Sequence, residues 1–443
     1  MSLKNPFIRK NRTTKAVANI IGSFVIKGLS ILSSLILIPL TLNYLTPYEY
    51  GVWLTLSSTL AWIDYFDIGL GSGLRNKLSE ALSQDNLVLA KKYVSTTFFL
   101  LLLISFILFI LFIFLNQWLD WGGILNLTED IGLRISQMIW IVFLGVIIAF
   151  VLKIVTYIYF AKQLPVINSS ITLLSQLISL LLIYFLTYFR TEDRLEWIAY
   201  IYSFSPVLIL SIFFIITFTH YKYLCPSLNS LDIKLSSGLM NLGLKFFFIQ
   251  ISCLLIYTTS NLIISRNLSP DEVTPYSIAF RYFNILFMVF SIIISPMWNA
   301  VNEAYNKEDY QWIVKTISIL NKFILVISLC AFIMLICSKF IYKLWIGSSV
   351  IIPFNLNLAL AIYVLILIYS SLYSHFLNGM NKLNLQLYVI VIMGIIFVPL
   401  ASFLSKEIGT VGVAISLCIV NTPGAIINHI QYKKIINSKI KKI

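Results

Sequence analysis

Lys27, Asp64, Asp67, Lys153, Lys245, Arg281 and Lys322 stand inside long apolar runs of this 443-residue chain. A charge held in hydrocarbon costs about 2.5–3.5 kcal/mol on insertion scales, so each is a candidate for function by default. Lys27 lies nine residues beyond Ala18, roughly 14 Å along a helix at 1.5 Å per residue, too deep to reach either surface easily. Such a cation needs a wet cavity, an anion or a structural partner on another helix. Lys322, beside Asn321, is the next deepest if its run begins near Trp312. Arg281 sits near the outer end of its run, where a guanidinium can take a phosphate bidentately or simply reach the interface. Lys153 and Lys245 lie close enough to inner ends for their stems to snorkel.

Asp64 and Asp67 are spaced i, i+3, which on a helix places both carboxylates on one face, able to share a proton or a cation. That suits ion coupling, with H+ or Na+ as the ion. Arg75 and Lys77 come soon after, and they could equally neutralise the pair in a structural gate. The intervening Gly69, Gly71 and Gly73 form no nucleotide loop, because no strand precedes them and no Gly-Lys-Ser comes after; they let a helix end and turn. From Leu74 to Tyr93 the pattern predicts an amphipathic helix on the inner surface. No catalytic constellation emerges: His220, His375 and His429 are far apart in sequence, and the five cysteines show neither disulfide nor metal spacing. The expectation is therefore no enzyme, no metal and no cofactor beyond a coupling ion.

Composition dictates the elements that position these residues. With 59% hydrophobic and 11% charged residues, the chain departs far from a soluble domain, which has about 45–50% and 25%. About 20 apolar residues cross a bilayer. The runs predict transmembrane helices over 18–42, 50–70, 93–115, 135–160, 165–189 and 197–220, then 241–265, 276–299, 313–336, 353–376, 385–405 and 411–431. Both termini are rich in Lys and Arg, which places them in the cytoplasm. The net charge of +14 is spread over short inner loops, so it fits anionic lipid headgroups and not nucleic acid.

Two segments recur at an offset of 223 residues. Leu45-Thr46-Pro47-Tyr48-Glu49 matches Leu268-Ser269-Pro270-Asp271-Glu272, and Asn76 with Glu80 and Ala81 matches Asn299 with Glu303 and Ala304. A shared register near half the chain length predicts two homologous lobes of six helices, residues 1–220 and 221–443. Repeats of this size mark transporter folds that bind substrate near the repeat interface.

The segments Leu45-Thr46-Pro47-Tyr48-Glu49-Tyr50-Gly51-Val52-Trp53 and Tyr65-Phe66-Asp67-Ile68-Gly69-Leu70-Gly71-Ser72-Gly73-Leu74-Arg75-Asn76 resemble the O-antigen and polysaccharide flippase family. That family belongs to the multidrug, oligosaccharidyl-lipid and polysaccharide exporter superfamily. The resemblance implies an all-α integral membrane protein of the bacterial inner membrane, with about twelve helices in two pseudo-symmetric, MATE-like lobes. It implies a central cationic cavity for a polyprenyl-pyrophosphate-linked glycan, lined by Lys27 and, on charge and depth, by Arg281, Lys322, Lys153 and Lys245. Asp64, Asp67 and Arg75 would then serve coupling or gating, with membrane lipids and polysaccharide polymerase machinery as partners. A multidrug exporter and a peptidoglycan-precursor flippase are the nearest rivals, and a membrane glycosyltransferase or polymerase is a more distant one.

Overall fold

The computed structural model describes residues 6–440 apart from 68, 163, 190–192, 237–250, 253, 257, 295–296, 381 and 383. The side chains of residues 6–21, 23–24, 64–65, 129–131, 133–134, 298–299, 303, 306 and 440 also lie outside the description. Among the described residues the regular elements are all helical. They are α1 (Pro6–Tyr44), α2 (Pro47–Leu60), α3 (Leu70–Ser83), α4 (Leu87–Asn116), α5 (Trp121–Leu125), α6 (Glu129–Leu152), α7 (Ile154–Ala161), α8 (Pro165–Leu186) and α9 (Arg194–His220). After these come α10 (Ser260–Asn267), α11 (Pro270–Ile294), α12 (Met297–Asn306), α13 (Tyr310–Ile346), α14 (Phe354–Gly379), α15 (Asn384–Ile408) and α16 (Thr410–Ile440). Ten candidate spans among the described residues are long and apolar enough to cross a membrane, one of them Ile135–Ala161 across α6 and α7. Of the other two expected spans, 241–265 falls in part outside the described residues, and span two corresponds to the short α2 and the irregular turn beyond it.

Span two is not one continuous α-helix. α2 ends at Leu60, a 3-10 turn covers Ala61–Tyr65, and Gly69 takes φ +74° ahead of α3. Asp64 lies in that 3-10 turn and Asp67 just beyond it; the Asp64 side chain is outside the described residues, and with it the expected i, i+3 pairing of the two carboxylates. The amphipathic helix expected to Tyr93 ends at Ser83: Asp85 adopts φ +54°, and the Asn86 side chain accepts from the Leu89 N–H to start α4. Within these corrected bounds α3 buries Leu70, Leu74, Leu78 and Ala81, spaced as one helical face, in a core with Val94, Leu101, Ile154 and Ile158.

Contacts divide the chain into two compact units, Met1–Leu45 with Leu60–Trp121 and Asp130–Phe247, and Thr46–Thr59 with Gly122–Glu129 and Phe248–Ile443. In the first, α1 packs along α8, with Ser30 Oγ donating to Gln176 Oε1 at 2.6 Å. The segment after α9 is tied back to α4: Lys92 Nζ lies 3.2 Å from Asp232 Oδ2, and the Ser227 N–H donates to Ser95 Oγ. In the second unit, α2 is held to α11 by Thr274 Oγ1 donating to the Pro47 carbonyl at 2.6 Å, and Asn126 Nδ2 donates to the Leu268 carbonyl.

The 223-residue register reappears in backbone detail. Asp85 and Glu308 are both left-handed, at φ +54° and +60°. Asn86 and Asp309 both cap the next helix, accepting from Leu89 N–H and Trp312 N–H at 3.0 Å each. The Asn86 and Asp309 N–H groups return to the Ala81 and Ala304 carbonyls. α3 and α12 end at Ser83 and Asn306, again 223 residues apart.

Candidate functional site

α1 presents distinct faces. Val25, Leu29, Leu32 and Ile36, spaced i, i+4, i+7 and i+11, form an apolar stripe 47–58% exposed, the pattern of a lipid contact. Ser33, Leu37 and Thr41 are buried, and Thr41 Oγ1 lies 2.9 Å from the Tyr202 hydroxyl. Lys27 is exposed, and at 100° per residue it lies on the side of α1 opposite the apolar stripe. Ser30 and Ser34 are the polar residues three and seven positions further along that side. Lys27 makes no ion pair among the described residues, whose ion pairs are Lys77–Glu80 and Lys92–Asp232. A cation off the greasy face, flanked by hydroxyls, is the arrangement expected of a wet, anion-accepting surface.

Asp67 sits in a different chemistry. It is 4% exposed; Oδ1 accepts from the Gly69 N–H at 3.0 Å, and Oδ2 accepts from the Gly71 N–H at 3.1 Å and the Tyr157 hydroxyl at 3.2 Å. The carboxylate thus neutralises the N-terminal turn of α3, where unsatisfied N–H groups and the helix dipole favour negative charge. A Cβ at Gly71 would stand 2.1 Å from the Tyr157 ring, so only glycine admits this approach. Lys153 occupies the irregular step between α6 and α7, half-buried, and its charge acts on Asp67. Two helix interruptions, in spans two and four, therefore meet around one carboxylate. Arg75 is exposed, with its guanidinium 5.0 Å from the Phe160 ring centroid, a cation–π contact and not a partner for Asp67.

In the second unit Arg281 is half-buried on α11 and makes no ion pair among the described residues. Lys322 is exposed on α13, on the helix face that continues through Val326, Leu329, Ile333 and Ile336, all 51–65% exposed. Lys245 and the Asp64 side chain lie outside the described residues.

Sequence reasoning missed Tyr157, whose only signal was an aromatic near the inner end of span four. It also missed a polar knot on α13, α14 and α16. There the Tyr369 hydroxyl and His429 Nδ1 lie 2.7 Å apart, Tyr373 stacks edge-on to His429 at 4.6 Å, and Asn321 Nδ2 donates to the Tyr373 hydroxyl at 3.2 Å.

The fold resembles that of multidrug exporters. An inward-facing MATE family transporter of the MOP superfamily superposes with TM-score 0.78 at 14% identity, covering 95% of this chain and 99% of that one. An outward-facing MATE structure gives 0.66 at 14% identity with 97% of each chain covered, and Vibrio cholerae VcmN in its bent form gives 0.61 at 14% with 96% and 99% covered. The protein is thus a multi-pass, all-α membrane protein with a MATE-like fold. The family model described as "Polysaccharide biosynthesis protein" matches residues 16–298, and the chain belongs to that family. Relatives described as "Putative O-antigen transporter" come from Salmonella typhi, 23% identical over 91% of both chains, and Salmonella typhimurium, 22% identical over 90% of this chain and 91% of that one.

Proposed function

We propose that this protein is a flippase carrying a polyprenyl-pyrophosphate-linked oligosaccharide from the cytoplasmic to the periplasmic leaflet of a bacterial inner membrane, with both termini cytoplasmic. The observation that carries this reading is Lys27, an exposed cation on the side of α1 turned away from its apolar stripe. A pyrophosphate cannot cross hydrocarbon unpaired. Lys27 supplies the compensating charge in the first unit, and Arg281 supplies a forked donor set in the second. The polyprenyl chain stays in lipid, and release delivers the glycan to polymerase machinery.

Coupling to H+ or Na+ runs through the broken span two. Asp67, already holding Gly69, Gly71 and Tyr157, is the group whose neutralisation would release α3 from α7, with Lys153 as its cationic neighbour and Asp64 and Arg75 flanking it. Interrupted helices in transporters place such groups where backbone and side chains can bind ions.

The test is transfer of labelled lipid-linked glycan across reconstituted vesicles. Lys27→Ala lowers transfer roughly 10- to 100-fold without loss of protein, and Lys27→Arg retains more of it. Full transfer by the Ala variant removes Lys27 from the site. Gradient dependence unchanged in the Asp64→Asn, Asp67→Asn double variant ends the coupling role.

A further inference from the structure

α13 is polar and greasy along one and the same face. Gln311, Lys315, Ser318 and Lys322, spaced i, i+4, i+7 and i+11, stand near its N-terminal end, where Lys315 and Lys322 reach the surface. The face then continues through Val326, Leu329, Ile333 and Ile336 to Phe340 and Leu344, each more than half exposed. Lys339 reintroduces charge 17 residues after Lys322, about 26 Å along the axis at 1.5 Å per residue. That length approaches the hydrocarbon thickness of about 30 Å. The belt thus sets Lys322 at the level where chains give way to headgroups, with Lys315 two turns further out.

A groove of about 520 Å³ lies there, and Gln311, Val314, Lys315, Ser318, Ile319 and Lys322 line it. Neither lysine makes an ion pair among the described residues. The acid at the helix entry, Asp309, is engaged in capping, accepting from the Trp312 N–H at 3.0 Å.

We infer that this groove binds an anionic phospholipid of the adjoining leaflet, its phosphate held by Lys315 and Lys322 and its acyl chains laid along the apolar stripe. Flexible four-carbon stems let two ammonium groups converge on one phosphate from nearby turns. Ser318 and Gln311 add neutral donors at the same level. The exposed stripe requires an occupant with hydrocarbon chains, which excludes a soluble anion. The groove lining offers no carboxylate to receive an ethanolamine amine, so an anionic head fits better than a zwitterionic one. Basic pockets on membrane helices recruit anionic headgroups by this charge logic. Lys322 lies in line with a lipid-facing stripe of its helix, and Lys27 does not.

Native mass spectrometry of the purified full chain tests this with three probes: phosphatidylglycerol, phosphatidylethanolamine and undecaprenyl pyrophosphate. Wild type retains one tightly held phosphatidylglycerol, and the Lys315→Gln, Lys322→Gln double variant retains it roughly 30-fold less, given about 1 kcal/mol per lysine near the surface. The Lys315→Arg, Lys322→Arg variant keeps the charge and the lipid, and it carries the test if the Gln variant folds poorly. Equal retention of phosphatidylglycerol by wild type and Gln variant overturns the inference, as does equal retention of phosphatidylethanolamine. Lysine-dependent displacement of phosphatidylglycerol by undecaprenyl pyrophosphate also overturns it, making the groove a cargo entry point. Because no transport is measured, failure here leaves the flippase reading untouched.

Discussion

The stretch from α2 to the start of α4 and the stretch from α11 to the start of α13 share every joint that the 223-residue register requires, yet they differ in between. Both begin at proline, Pro47 and Pro270, and both end in a left-handed residue before an Asx cap. The first turns through a 3-10 segment and left-handed Gly69 over Ala61–Gly69, whereas the second holds α-helix to Ile294 before α12 starts at Met297. Outside these stretches the two units also differ in charge placement: Lys27 points away from the apolar stripe of its helix and Lys322 lies in line with one. A duplicated scaffold keeps its turns, because turns fix where helices start, and is free to diverge along helix faces and interiors.

The largest effect that would sharpen this contrast is on transport. A charge-assisted hydrogen bond contributes about 1.5–3 kcal/mol, so Lys27→Ala lowers glycan transfer roughly 10- to 100-fold. Moving the charge to the stripe, as Lys27→Ala with Val25→Lys, does not restore it, because position and not mere presence of the cation matters. Recovery of transfer in that relocated variant breaks the comparison at its centre.

The break in span two comes next. Gly71→Ala drives a methyl into the Tyr157 ring and lowers thermal stability in detergent by about 1–3 kcal/mol, the usual range for overpacking. Gly69→Ala costs about 1–2 kcal/mol through its positive φ. Ser291→Ala, in the matching continuous stretch where the hydroxyl merely donates to the Met288 carbonyl, stays within about 0.5 kcal/mol. Equal losses at all three sites would mean that the break carries no special packing. The shared joints give a matched pair: Asn86→Ala and Asp309→Ala each cost about 1 kcal/mol, and a gap wider than that between them denies the common geometry.

Much of this was legible in the sequence. Run lengths picked out ten of the twelve expected spans, and Pro47/Pro270 with Glu80/Glu303 marked the register, because both are local signals. The end of α3 was misplaced because Asp85 offers no glycine to announce a left-handed turn. Between Leu60 and Leu70, Asp64, Asp67 and Gly69 signal that a helix ends, but nothing in their spacing distinguishes a 3-10 turn from a continuing α-helix. The link from Asp67 to Tyr157 and Lys153 spans some 90 residues and exists only through packing. Run lengths marked Lys27 and Lys322 alike as cations within apolar runs; which face each helix buries was not readable, and that face separates their roles.

The smallest expected effect belongs to Lys322→Leu. Its side chain stands in register with Val326 and Leu329, at the edge of a belt already more than half exposed, so leucine lengthens the stripe by one turn. Insertion becomes easier, because a lysine near the interface is replaced by a residue favoured in the hydrocarbon. Transport, which depends on the opposite kind of face, changes by less than about twofold, a difference of under 0.5 kcal/mol. The measurement is paired transfer by Lys322→Leu and Lys27→Leu at matched protein levels. A loss at Lys322 as deep as that at Lys27 would mean that a cation in line with the lipid stripe still meets the cargo, and orientation about the helix axis would cease to distinguish them.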